Sequence, residues 1–399
     1  MSKENEDDKK NEQGGVLNSS KAKKDLRIVL RVVVLAVLFG ILAGGIGALL
    51  TFNYLTDYAG SLVAAPKTSI IGPQTRVVSP GTIESAVSEA REKIIPTMVR
   101  FLKYKEGEDI SKQAYFEDDI LGYGFCFTSD GWLIAPGQIF IAQDFSGVVA
   151  EIDGQFYEIE KKLVDKITGA AFIKVAAENL PVAELAEEQY LASGDRVLKL
   201  LGPEIFESAN ILNKQYNPAS GSNYIESSEV ASGRMLVSGN YALGALAVNY
   251  SGQIIGFINA EQDQGVLTLP LYFLEPLVKS LLKEEKLTRP YLGIHYVDLA
   301  RVHGISADII GDRDRGALVW SGPEDEPAAV LPDSPADLAG LEKGDIIVSV
   351  NDEVVGGSGS LSEILLDYDP QNKLYLEILR QGEEQVVSVT LGAFDSLSK

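Results

Sequence analysis

Hydrophobic positions along this chain follow three different rules. Residues 32–52 form a run of 21 without a single charge, which at about 1.5 Å per residue matches a hydrocarbon core of about 30 Å and predicts a membrane-spanning helix. From Thr97 onward the apolar residues come in short stretches with period two: MVRFLKY, GYGFCFT, GWLIA, GVVAEID, QFYEIE, AAFIKV, RVLKLLG, MLVS, ALAVN and QIIGFIN. Gly, Asp and Asn turns separate them, so this part reads as an antiparallel sandwich or barrel of about 200 residues. Helical spacing flanks it at residues 84–94 and 271–286. From Arg289 a third pattern mixes strands (YLGIHYVDL, GALVWS, GDIIVSVNDEVV, KLYLEILR, EQVVSVTL) with helices at 334–340 and 360–367, the latter opened by a Ser360…Glu363 capping box.

These patterns divide the chain into a cytoplasmic tail expected to be disordered (1–26), a signal-anchor helix (27–53), a linker rich in Gly, Pro, Ser and Thr (54–82), a β domain (83–287) and a compact α+β domain (288–395). Lys21, Lys23, Lys24, Arg27 and Arg31 crowd one flank of the apolar run, while Lys67 alone lies within 20 residues of the other. That asymmetry predicts the N-terminus inside and the folded domains outside the cytoplasm. A cleaved signal peptide is the competing reading, disfavoured by the length of the run and by the lack of a prompt small-x-small site. Ala36, Gly40, Gly44 and Ala48 form a stripe along which such helices can pack.

Net charge narrows the function. The chain carries −22, and since residues 1–31 hold eight basic and six acidic side chains, the remainder carries −24. A nucleic-acid partner is disfavoured. The single cysteine, Cys126, excludes an intrachain disulfide and reads as a buried strand residue. Nothing suggests a metal, nucleotide or other cofactor.

Specific motifs then carry a resemblance. Residues 122–140 (GYGFCFTSDGWLIAPGQIF), 165–175 (DKITGAAFIKV) and 241–257 (YALGALAVNYSGQIIGF), in that order and spacing, resemble the HtrA/Deg family. In the third domain Tyr291, Leu292, Gly293 and Ile294 resemble the carboxylate-binding loop of a PDZ domain, and residues 329–352 resemble its Ser-Pro-Ala-x-x-Ala-Gly-Leu core segment. The resemblance covers roughly 310 residues. It implies a mainly β chain in which a trypsin-like double β-barrel precedes a C-terminal α+β PDZ domain, usually on a trimeric scaffold.

In register with those motifs, the general-base histidine falls on Gln138, the orienting aspartate on Gly169 and the nucleophilic serine on Leu243. Glutamine takes no proton near neutral pH, glycine has no carboxylate and leucine has no nucleophile. Ser238 and Ser232 lie upstream, but residues 83–282 contain no histidine to activate either. Tyr241 and Ala242 stand where the family's glycine-rich oxyanion turn would run. The sequence therefore leads to an expectation that the chain is not an enzyme but a membrane-anchored pseudo-protease, a peptide-binding, chaperone-like or regulatory module in protein quality control. The alternatives are an active HtrA/Deg-type serine endopeptidase of envelope quality control and a structural anchor. Expected partners are unfolded or C-terminal peptide segments, the membrane through residues 32–52, and copies of itself or an active relative in a homotrimer or mixed oligomer. Peptide binding is assigned to Tyr291, Leu292, Gly293, Ile294 and Leu361; core packing is the competing reading for Leu361 and for its neighbour Leu365.

Overall fold

A computed structural model describes residues 83–104, 109–140, 147–187, 191–216, 224–230, 233–322, 326–357 and 359–397. The expected tail, membrane helix and linker lie outside these residues. Among the described residues no helix is long and apolar enough to cross a membrane.

The period-two stretches build two closed antiparallel barrels. The first uses β1 (Met98–Lys103), β2 (Ile120–Cys126), β3 (Trp132–Pro136), β4 (Val148–Ile152), β5 (Gln155–Val164) and β6 (Ala170–Val175), in the order β1-β2-β3-β6-β5-β4. The strands β7 (Arg196–Gly202) and β8 (Ile205–Tyr216) open the second barrel. After the short strand β9 (Ile225–Ser227), which leaves the barrel, it continues with β10 (Arg234–Val237), β11 (Leu246–Val248), β12 (Ile254–Gln262) and β13 (Gly265–Pro270). Their order is β10-β13-β12-β11-β7-β8.

Several of these strands, β3 and β4 among them, are buried on both faces and so depart from strict period-two alternation. One face of the first barrel's strands, including Val99, Phe101, Leu133, Ala135, Ala171 and Ile173, fills its interior. The other face, including Phe125, Ile134 and Phe172, packs with Leu198, Leu246, Phe257 and Leu269 from the second barrel in a shared cluster. Strands buried on both faces have no polar alternation to show. Helix Ile83–Ile94 lays Val87, Ala90 and Ile94 onto the same cluster, as its i, i+3, i+7 spacing requires.

Local chemistry explains the turns. Asp153 and Gly154, both at positive φ, join β4 to β5 in a two-residue hairpin. The β11–β12 hairpin is tied by the Asn249 side chain, which accepts N–H bonds from Ser251 and Gln253. The helix expected over 271–286 is a 3-10 turn, Leu271–Leu274, followed by the α-helix Glu275–Glu284. Pro276 suits a first helical turn but no later one, which moves the α-helical start to Glu275.

The third domain consists of β14 (Thr288–Tyr291), β15 (His295–Asp298), β16 (Ala317–Val319), β17 (Ile346–Val350), β18 (Glu353–Val354), β19 (Lys373–Arg380), β20 (Glu383–Thr390) and β21 (Gly392–Asp395). β14 pairs with β21, and the main sheet runs β20-β19-β17-β16-β15-β9, so a strand from the preceding barrel segment forms its edge. Helix Leu361–Leu365 begins with the expected capping box: Ser360 N–H donates to Glu363, and Glu363 N–H donates to Ser360 Oγ. The mainly β architecture of double barrel plus α+β domain is as the resemblance implied.

Cys126 is fully buried, and burial pushes its thiol up to about 12, so the folded chain should leave the thiol-specific reagent DTNB unreacted at pH 8 until denaturant is added. Two glycines of similar φ provide a second check. A Cβ on Gly244 (φ +77) would lie 1.9 Å from the Tyr123 carbonyl oxygen, whereas one on Gly154 (φ +78) meets nothing within 4 Å. In urea melts Gly154→Ala is expected to cost about 1 kcal/mol and Gly244→Ala more than about 3 kcal/mol.

Candidate functional site

Gln138, Gly169 and Leu243 arrive from three elements at the seam between the barrels. Gly137–Phe140 is a single 3-10 turn at the end of β3, and Gly137 N–H donates to the Gly169 carbonyl at 2.7 Å. The Gln138 side chain crosses to the second barrel, where Nε2 donates to the Asn259 carbonyl at 3.1 Å. Leu243 comes from the loop before β11. Its carbonyl accepts the Tyr123 N–H at 3.2 Å, and its side chain packs against the first barrel's interior cluster. A Cβ on Gly122 would touch both Ile139 and the Leu243 carbonyl oxygen, so the residue after Gln138 and the backbone of Leu243 meet there. At Gly169 (φ +75) the space a side chain would enter is open.

A buried cation shapes the loop that leads to Leu243. Lys199, with no exposed side-chain surface, pairs with Glu207 at 2.8 Å and donates to the carbonyls of Asn240 at 2.7 Å and Ser238 at 3.3 Å. Those carbonyls are therefore turned inward by charge-assisted bonds. Ser238 Oγ accepts the Asn210 N–H at 2.9 Å and so ties the loop to β8. Ser232 lies outside the described residues.

The turn that carries Gly169 is held from the other side by a buried ion pair. Asp165 accepts N–H bonds from Ile167 and Thr168 and the Thr168 hydroxyl. Arg289, at the head of the third domain, donates to it at 2.7 Å, with side-chain exposures of 1% and 0%. The same guanidinium donates to Ser396 Oγ at 3.1 Å and to the Glu229 carbonyl at 3.3 Å. Burial pulls the Arg289 pKa below its usual value, opposed by the Asp165 carboxylate.

At the loop expected to bind a carboxylate, three of the expected residues converge on the segment after β9. Leu292 and Gly293 donate their N–H groups to Glu229 Oε1 at 3.2 and 2.8 Å, and Ile294 N–H donates to Ser228 Oγ at 3.0 Å. Gly293 (φ +87) has to be glycine, because a Cβ would lie 2.3 Å from that of Ser334. Tyr291 contributes no such donor; it ends β14 with its ring tilted against Phe394. Leu361 and Leu365 are both fully buried in the domain's apolar cluster with Leu292 and Ile294. Missed from sequence were Glu229 and the β9 strand beside it. IESSE is short and polar and carries no period to read.

A family model described as PDZ domain matches residues 290–391. A protein of Marinomonas sp. (strain MWYL1) named "Probable periplasmic serine endoprotease DegP-like" is 29% identical over 286 residues, covering 68% of this chain and 57% of that protein. A relative of the same name from Hahella chejuensis is 26% identical, covering 73% and 61%. This chain thus spans less than two thirds of the length of these relatives. Among solved structures, "HtrA-type protease AlgW with decapeptide" superposes with a TM-score of 0.53 at 17% identity, covering 77% of this chain and 98% of that one.

The class these observations define is a trypsin-type double barrel joined to a PDZ domain. Within it, the chain is similar in sequence to DegP-like serine endoproteases and shares its fold with an HtrA-type protease. The relatives also overturn the expectation that the chain is not an enzyme. That expectation ran from three side chains to the whole protein, and both relatives matched across two thirds or more of this chain are named serine endoproteases.

Asp165→Asn keeps the shape of the turn but leaves the Arg289 charge buried without its counterion. It is expected to lower stability by about 3–5 kcal/mol in urea melts. Replacing Asp165 and Arg289 together by apolar residues should cost less than the sum of the single changes.

Proposed function

We propose that this chain serves protein quality control outside the cytoplasm as an HtrA/DegP-type protein, engaging unfolded or C-terminal peptide segments through its PDZ domain. The observation that carries this is the Leu292–Gly293–Ile294 loop, whose consecutive N–H groups converge on one end of a strand edge and, at the first two residues, on a single carboxylate oxygen. Such an arrangement recognises a peptide terminus by its charge and its backbone rather than by one side chain. The periplasmic names of the relatives support an extracytoplasmic site of action, with the apolar stretch 32–52 as anchor and an assembly of several copies as the working form.

Hydrolysis enters this reading through the relatives' names. The register is part of the same proposal: Gln138, Gly169 and Leu243 occupy the family's triad positions and supply no base, carboxylate or hydroxyl there. Serine endopeptidase activity of this chain would then draw on a hydroxyl other than position 243, which fluorophosphonate labelling and peptide mapping of the full chain, alongside cleavage of an unfolded casein-type substrate, would identify.

For the full chain, peptides with a free C-terminal carboxylate should bind about tenfold or more tightly than the same peptides amidated; equal binding would remove the PDZ part of the reading. The register has its own check. Leu243→Ser alone should gain no fluorophosphonate label at 243, whereas Gln138→His, Gly169→Asp and Leu243→Ser combined should gain it, since the serine then has an oriented base.

A further inference from the structure

The carboxylate-binding loop of the PDZ domain already holds a carboxylate, and it belongs to this chain. Strand β9 pairs antiparallel with β15 (Ser227 opposite His295, Glu226 opposite Tyr296, Ile225 opposite Val297), and Ser228 N–H continues the ladder to the Ile294 carbonyl at 3.0 Å. The next residue, Glu229, turns its side chain into the loop and takes the Leu292 and Gly293 N–H groups. We infer that residues 225–229 are an intramolecular ligand of the PDZ groove, supplying both the added strand and the carboxylate that a peptide C-terminus would bring. The inference rests on the peptide-binding reading of this groove and adds that the groove is self-occupied.

Polarity and burial separate this from incidental packing. The segment runs antiparallel to β15 with its C-terminal end at the N–H loop, the direction in which a C-terminal peptide extends such a sheet. Glu229 is 6% exposed and also accepts the hydroxyls of Ser227 and Ser228, so its charge is fully solvated by the site. Arg289 holds the end of the segment through the Glu229 carbonyl. Upstream, Glu226 reaches the Tyr296 hydroxyl at 3.2 Å and Arg301 at 3.2 Å, filling the side of the groove next to Ser362 of the helix Leu361–Leu365. A strand that only bridged two domains would need no carboxylate in the loop.

A tethered occupant competes at an effective concentration no free peptide easily matches, so external affinity falls by the fraction of molecules whose groove is open. The occupant also describes its competitor: a peptide with a free terminal carboxylate and an acidic side chain two positions before it, facing Tyr296 and Arg301.

The test uses the full chain and a fluorescein-labelled peptide copying residues 223–228, Asn-Tyr-Ile-Glu-Ser-Ser, with a free carboxylate at its end. Glu229→Ala is expected to bind it at least about tenfold more tightly than wild type, and hydrogen exchange at the amides of 292–294, slow in wild type, should rise by a similar factor. Ser227→Cys with His295→Cys, at directly opposed positions, should lose peptide binding when oxidised and regain it on reduction. If Glu229→Ala fails to fold, Glu229→Gln and the cysteine pair decide. Equal peptide affinity in wild type and in a folded Glu229 variant, or unprotected 292–294 amides in wild type, overturns the inference. Amides released by Glu229→Ala with no peptide bound by any variant would uphold self-occupation and instead remove the peptide-binding reading.

Discussion

A guanidinium taken out of water must find partners for its hydrogens or the fold loses several kcal/mol, and Arg289 finds them on three separate parts of the chain. The Asp165 carboxylate comes from the turn before β6, the Glu229 carbonyl from the segment after β9, and the Ser396 hydroxyl from the C-terminal end. Each partner is useful only if the others have arrived, because a half-satisfied buried charge is worse than none. First barrel, β9 segment and PDZ domain are thereby held to one arrangement by one side chain. The Asp165 turn also carries Gly169, whose carbonyl takes the Gly137 N–H, so the same cation lies two hydrogen-bonded steps from the seam where Gln138 sits.

At that seam the loop before β11 is packed tightly against the first barrel. Gly244 passes so close to Tyr123 that no other residue fits, and Leu243 buries its side chain in the neighbouring barrel. Lys199 underneath fixes the approach by drawing in the carbonyls of 238 and 240. The backbone course of the loop is thus specified by a close backbone contact at Gly244 and by the buried Lys199. A fold can be specified at positions other than those that carry a reaction.

Whatever depended on neighbours in sequence was legible before the structure. Ser360 and Glu363 lie three apart and cap a helix; Asn249 to Gln253 closes a hairpin; the period-two runs gave most barrel strands. What depended on distant partners was not. The β8 strand buries only Ala209 and Ile211 of its twelve residues, so its alternation is faint. Arg289 and Asp165 are 124 positions apart, and either alone reads as an ordinary surface charge. Glu229 could not be seen as a ligand, since its role comes from where the loop before β15 places the Leu292 and Gly293 amides. Gln138, Gly169 and Leu243 could be named as positions from the motifs; the bonds that Gln138 and Leu243 make across the barrels could not be read there.

Barrels closed on themselves present no open rim, but the PDZ sheet is flat-ended and β15 would expose a row of unpaired N–H and C=O groups. Such a rim is a template for indiscriminate pairing with any extended chain. The three residues of β9 shield it. They leave outward only a very short, polar border of their own, so the sheet is guarded against being seeded by a stray strand.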